Sequence, residues 1–176
     1  MHRAELFFLD STSVKAHVSA VGARKSEGEQ GIGKSKGGTT SKIHMIAAGP
    51  DEGIKFSITG GEVSDIKAGL ELIENMKFSE NHEYIAMDRG YSAYVTIELC
   101  KKKGIIAVVP PKKSFKEPWE YHRWIYAYRN EIERLFGRVK HCRRVATRFD
   151  KLARRYADFV SLSLILRFLK LYVNTT

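Results

Sequence analysis

Apolar residues follow two rhythms along the chain. Residues 6–9, 84–87 and 105–109 are short unbroken apolar runs, the pattern of strands covered on both faces. Residues 42–48 and 54–59 read as a hairpin, joined by a turn at Gly49, Pro50, Asp51, Glu52 and Gly53. Elsewhere the spacing is helical. Ile66, Leu70, Ile73 and Met76 recur at helical intervals after Ser64, a suitable N-cap. Ser92 can cap a helix that runs to Lys103, and Gly104 stops it. The greasy stretch 159–173 reads as a buried packing helix, because Arg167 and Lys170 interrupt it well short of the twenty or so apolar residues that a membrane span needs. This order predicts an α/β fold: one domain over residues 1–176, with a mixed five-stranded sheet flanked by helices.

The segment YAYRNEIERLFGRVK, 126–140, carries a second stripe. Successive residues turn about 100° around a helix, which puts Tyr126, Arg129, Glu133 and Lys140 on one narrow polar stripe. Ile132, Leu135, Phe136 and Val139 gather on the neighbouring side, so that side is buried and the polar stripe lies at a rim. A solvated helix face with an ordinary Arg129–Glu133 pair at i,i+4 has the same pattern.

Two of the apolar strands end on an acid. Asp10 follows residues 6–9, and Asp88 follows residues 84–87. For Asp10 two readings stand: a site residue, or a turn residue bonded to nearby amides. If the two strands lie side by side, their ends form a crevice, and Glu133 can close it from the flanking helix. Clustered carboxylates repel unless cations sit among them, and hard oxygen ligands suit Mg²⁺ or Mn²⁺. A pair of such ions about 4 Å apart activates the attacking hydroxyl and stabilises the departing oxygen in phosphoryl transfer. His2, His17, His44, His82, His122 and His141 are scattered without paired spacing, which argues against zinc.

Charge sharpens this picture. Residues 1–100 carry 11 Lys/Arg against 14 Asp/Glu, whereas residues 101–176 carry 19 against 6. Such a basic half implies a polyanionic partner, most simply nucleic acid. Lys112, Lys113, Lys116, Trp119, Tyr121 and Trp124 form a basic and aromatic connector that can meet phosphates and bases. With Cys100 and Cys142 alone and no CxxC, a reduced cytoplasmic protein is expected; the thiol of Cys142 reads as structural. The start of the chain, with His2, Arg3 and Glu5, does not resemble a signal peptide.

Residues 22–40 are rich in Gly, Ser, Lys and Glu and read as a flexible basic loop. Within them GEQGIGKS, 28–35, fits the phosphate-loop pattern. That pattern works when a buried strand precedes the turn and a helix begins at the Lys-Ser, here Lys34 and Ser35. Neither flank is visible in the sequence, so a nucleotide hydrolase is a minor alternative.

Several blocks carry a family resemblance: LDSTSVKAH (9–17), KSKGGTTSKIH (34–44), TGGEVSD (59–65), MDRGY (87–91), VVPPKK (108–113) and 126–151, which ends in RRVATRFDK. Together they resemble the catalytic domain of bacterial insertion-sequence transposases of the Asp-Asp-Glu type, in the group called insertion sequence four and five. The spacing Tyr-x2-Arg-x3-Glu-x6-Lys, met by Tyr126, Arg129, Glu133 and Lys140, is that group's signature. The resemblance implies a ribonuclease H-like fold and metal-dependent cleavage and strand transfer on double-stranded DNA. Asp10, Asp88 and Glu133 would be the metal-binding triad, for two ions of Mg²⁺ or Mn²⁺. Tyr126, Arg129 and Lys140 would hold DNA phosphates, with Arg143, Arg144, Lys112 and Lys113 as further DNA contacts. Arg89 and Ser92 stand where relatives often have Lys and Asp. Relatives carry a DNA-recognition region before the first aspartate, and nine residues precede Asp10 here. The expectation is a frameshift partner, a fragment or a degenerate copy, with the recognition region on a separate polypeptide. A homo-oligomer assembled on DNA, nucleoid-associated and without a membrane, completes the expected picture; a catalytically inactive DNA-binding relic is the alternative.

Overall fold

A computed structural model describes residues 5–49, 51–78 and 82–173. His2, Arg3 and Pro50, which figured in the sequence reading, lie outside the described residues.

A mixed sheet forms the centre of the chain, in the order β2 (Gly33–Ser35), β3 (Gly38–Gly49), β1 (Glu5–Ala16), β5 (His82–Met87) and β6 (Ile106–Val108). In addition β4 (Glu52–Gly60) pairs with β3, and β7 (Thr147–Arg148) pairs with β1. The sheet therefore has seven strands, not five. β2 and β7 are the additions, and at three and two residues they are too short to show a period of their own. The predicted hairpin corresponds to β3 and β4, which pair antiparallel.

Side-chain alternation along β1 separates two cores. Phe7 and Leu9 face α1 (Asp65–Glu74) and pack with Leu72, Ile73, Ile85 and Met87. Phe8 and Val14 face the other layer and pack with Ile132, Leu135, Phe136 and Val139 of α4 (Asn130–Val139) and with Tyr156 and Val160 of α6 (Ala153–Val173). Both faces of the sheet are covered, which is why residues 6–9 are uniformly apolar.

Asp10 does not end its strand. β1 continues to Ala16 because residues 8–15 pair antiparallel with β3, through Lys15 opposite Thr40. What ends at Leu9 is the parallel pairing with β5, where Leu9 lies opposite Met87. On that side β1 finds a partner again only at Lys15 and Ala16, which meet β7. The sheet thus opens a gap at Asp10, between two short parallel ladders.

Three further expectations are corrected. The loop of residues 22–40 contains β2 and the start of β3, so Lys34 lies in a strand with no helix beginning at Ser35. Ser92 closes a 3₁₀ turn (Arg89–Tyr91), and Ala93 is the N-cap of α2 (Tyr94–Lys102); Gly104, at φ +73°, does end that helix. The C-terminal helix α6 buries Tyr156, Val160 and Ser163, whereas Leu162, Ile165, Leu166, Phe168 and Leu169 on its outer side are 45–58% exposed. Its apolar residues surround the helix, and the sheet covers only one side.

Candidate active site

The segment 126–140 is helical but not one uniform helix. α3 (Arg123–Tyr126) tightens into a 3₁₀ turn (Ala127–Arg129) before α4 begins at Asn130. A 3₁₀ turn rotates each residue about 20° further than an α-helix does, and over three residues this brings Arg129 into line with Tyr126, so Tyr126, Arg129, Glu133 and Lys140 stay on one stripe. Tyr126 turns inward against Tyr121, Arg129 lies at the N-cap of α4, and Lys140 at its C-cap. Burial of Ile132, Leu135, Phe136 and Val139 against the sheet fixes α4 beside the gap in β1.

Strand register places the two aspartates. Leu9 and Met87 are the last pair of the β1–β5 parallel ladder, so Asp10 and Asp88 are the next residue on each of two neighbouring strands. Asp10 falls on the same face as Phe8, and Asp88 on the same face as Ala86, both in the core layer under α4. From that layer Arg129 reaches across: Nη1 donates to Asp10 Oδ2 at 2.9 Å and Nη2 to Glu133 Oε1 at 2.6 Å. The guanidinium also lies over the Tyr126 ring, 5.8 Å from its centre. Lys140 anchors the other end of α4 on β1, donating to Thr12 Oγ1 at 2.6 Å and to the Ser13 carbonyl at 3.1 Å.

Electrostatics reflect this crowding. Burial pushes the Asp10 carboxyl up to about 6, and Asp88 and Glu133 add to the rise. The Ser11 N–H, 2.8 Å from Oδ1, and Arg129 pull the other way. The turn-type bond expected of Asp10 is thus present together with its contact to Arg129. Burial disfavours the charge on Arg129, but Glu133 and Asp10 outweigh it and hold its pKa above the ordinary value. Burial alone lowers Lys140.

Asp10, Arg129, Glu133 and Tyr126 therefore meet, with Asp88 adjacent and Lys140 nearby on β1. Among the described residues, no three His, Cys, Asp or Glu side chains are gathered closely enough to hold a metal ion as they stand. Asp88 folds back to accept from the Gly90 N–H at 2.6 Å, and Glu133 is drawn to Arg129. The donor set nevertheless suits a hard divalent cation. It consists of carboxylate oxygens only, in a place where negative charge is already disfavoured at Asp10.

Other sequence candidates lie apart from this cluster. Lys112 and Lys113 follow β6 in a loop, half-buried and exposed respectively, and Arg143 is exposed at the start of α5 (Arg143–Ala146). Arg144 pairs with Asp150 at 2.8 Å and lies over the Phe159 ring at 4.2 Å, so its charge serves packing between α5 and α6.

A family model for the transposase DDE domain matches residues 2–168. The chain belongs to the transposase DDE domain family. No curated protein matches the chain, and neither does any solved structure. Membership places this transposase domain among enzymes that act on DNA, a family that generally uses divalent metal ions. The mixed sheet with helices on both faces accords with the ribonuclease H-like fold of that family. No helix among the described residues is long and apolar enough to cross a membrane.

One cluster at this site was missed in the sequence. On the opposite face of β1, Ser11 Oγ donates to Asp65 Oδ1 at 2.9 Å, and Lys42 Nζ donates to the same oxygen at 3.0 Å. His44, fully buried, sits 3.8 Å away and bonds Thr59 Oγ1 through Nε2 at 2.8 Å. Burial lowers His44 to about 4. Tyr91 lies beneath, its ring so close to Gly69 that a Cβ there would stand 2.5 Å from Cε1. This group braces the strand that carries Asp10. The contacts join residues far apart in sequence, and no local period announces them.

Proposed function

We propose that this domain catalyses metal-dependent DNA strand cleavage and strand transfer at insertion-element ends, as a member of the insertion sequence four and five group. The observation that carries this reading is the juxtaposition of Asp10 and Asp88 on adjacent strand positions, with Glu133 tied to Asp10 through Arg129. Asp10, Asp88 and Glu133 are the residues that would hold Mg²⁺ or Mn²⁺. When bound, such ions supply Lewis-acid activation of an attacking hydroxyl and stabilise charge on the departing oxygen.

The chain's own residues do the rest. Lys140, fixed on Thr12 and Ser13 next to Asp10, offers an ammonium to a backbone phosphate beside the scissile bond. Arg129 offers a planar fork suited to phosphate oxygens, and Tyr126 fixes its plane. Exposed Lys113 and Arg143, with half-buried Lys112, extend the cationic surface along the duplex. Water attack on the phosphodiester frees a 3′-hydroxyl, which then attacks target DNA; each step exchanges one P–O bond for another. The element ends and the target are double-stranded DNA, and action on paired ends favours a homo-oligomer on DNA, in the bacterial cytoplasm at the nucleoid.

The test is cleavage of a labelled duplex carrying the element end, in Mg²⁺, in Mn²⁺ and in EDTA. Cutting that needs metal and falls at least about 1000-fold in Glu133→Gln, Asp10→Asn and Asp88→Asn is expected, since each removes a charge that acts on the transition state. Near-normal cutting by any of the three would refute the assignment. Binding without cutting by the unmodified chain would indicate the inactive DNA-binding relic.

A further inference from the structure

Glu133 and the cation that neutralises it come from the same stretch of helix, one turn apart. Arg129 Nη1 lies 2.9 Å from Asp10 Oδ2, and Nη2 lies 2.6 Å from Glu133 Oε1, so a single guanidinium spans two of the three carboxylates. Its position is set from two sides. The Tyr126 ring lies against it, and the backbone of Arg129 is fixed where the 3₁₀ turn meets α4. The two ends of the link differ in character. Asp10 is 14% exposed, whereas the Glu133 side chain is 55% exposed, so the Glu133 end can open into solvent without disturbing the core.

One positive charge faces two negative ones here, with Asp88 on the next strand. An ion of charge two that reached Asp10 and Glu133 together would replace one positive charge by two, and would meet the guanidinium already on the same oxygens. Like charges at such short range repel strongly in a partly buried site.

We infer that Arg129 is the resident counter-ion of this carboxylate site, holding Asp10 and Glu133 at short range before metal arrives and competing directly with a divalent cation for them. The inference rests on the proposed active site and adds a role for Arg129 that precedes any contact with DNA. With a cation bound, the Arg129–Glu133 link would open first, at its exposed end, and the guanidinium would be free at the place where a phosphate is to be gripped. Metal loading and phosphate capture are then coupled through one side chain.

The test reads metal binding, not activity. Free Mn²⁺ is titrated into the full chain without DNA and followed by its electron paramagnetic resonance signal, for the unmodified protein, Arg129→Gln and Arg129→Lys. Loss of the competing cation is expected to tighten Mn²⁺ binding about tenfold in Arg129→Gln, equivalent to roughly 1.4 kcal/mol, with a smaller gain in Arg129→Lys, which keeps the charge but not the fork. Adding Glu133→Gln to Arg129→Gln is expected to abolish the gain, which locates it. Circular dichroism checks the fold of each variant, and should Arg129→Gln fail to fold, the sign of the Arg129→Lys change decides. Mn²⁺ binding by the unmodified chain that is equal or weaker in the Arg129 variants would overturn this inference and leave the proposed function standing. An absence of Mn²⁺ binding in every variant would overturn both.

Discussion

Arg129 and Arg148 are both drawn into the protein, but they are neutralised in opposite ways. Arg148 is completely buried. Its guanidinium donates to the carbonyls of Asp150 at 2.8 Å, Gly31 at 3.0 Å and Lys151 at 3.2 Å, to Ser41 Oγ at 2.7 Å, and to the Gln30 carbonyl. Tyr156 lies under it, its ring centre 5.1 Å away. Burial lowers its pKa, with Tyr156 and Asp150 acting against that fall. Arg129 meets no such cage. It meets two carboxylates, one of them exposed, and its pKa is raised. A charge solvated by neutral carbonyls has many partners and no rival, so it is structural. Where two carboxylates share one cation, a better cation can replace it. The difference separates a clamp that ties 30–31, 41 and 148–151 together from a site poised for ion exchange.

The comparison breaks most easily at Arg148. Arg148→Met removes the donor shared by the carbonyls of Gln30, Gly31, Asp150 and Lys151 and by Ser41 Oγ, and a loss of about 3 kcal/mol of folding stability is expected, read as a lower denaturant midpoint. Arg129→Gln is expected to lose no more than about 1 kcal/mol, because a partly exposed pair contributes little. Equal losses would erase the distinction between the two arginines.

A smaller effect, in pH, sharpens the same contrast on the other face of β1. His44 is buried and neutral, with its pKa lowered to about 4 from an unfolded value near 6.5. For a base with a depressed pKa, stability is fully present above the unfolded value and declines as pH falls towards the folded one. The window is therefore about 6.5 down to 4, with at most roughly 3 kcal/mol at stake. Asp10 acts in the reverse sense. Its folded pKa, near 6, exceeds that of the unfolded chain, so its contribution is lost as pH rises from about 4 to 6. Denaturant midpoints from pH 4 to 7 for His44→Gln and Asp10→Asn separate the two: the first should flatten the acid decline and the second should steepen it. Parallel curves would contradict both assignments.

Legibility in the sequence followed the range of each interaction. Asp88 was legible because β5 does end on Met87 and the chain turns there. The i,i+4 link between Arg129 and Glu133 was likewise local and visible. Asp10 was legible as an acid after an apolar run, but its position inside a strand was not. Asp10 read equally as a turn residue, and only pairing with β3 holds Ser11, Thr12 and Ser13 extended. The bond from Arg129 to Asp10 spans 119 positions and has no local signature. Arg148 was hidden in the same way, as one basic residue among several in a basic half. The exposed side of α6 was misread because a run that is apolar all round is assigned to the interior, whereas the sheet covers only one side of that helix.

Whether the carboxylates around Arg129 exchange cations is tested directly by a crystal of the full chain grown with Mn²⁺ and measured at its absorption edge. Anomalous density beside Asp10 and Glu133, with the Arg129 guanidinium withdrawn from Glu133, is the predicted result. Anomalous density elsewhere, with Arg129 still bridging Asp10 and Glu133, would contradict it.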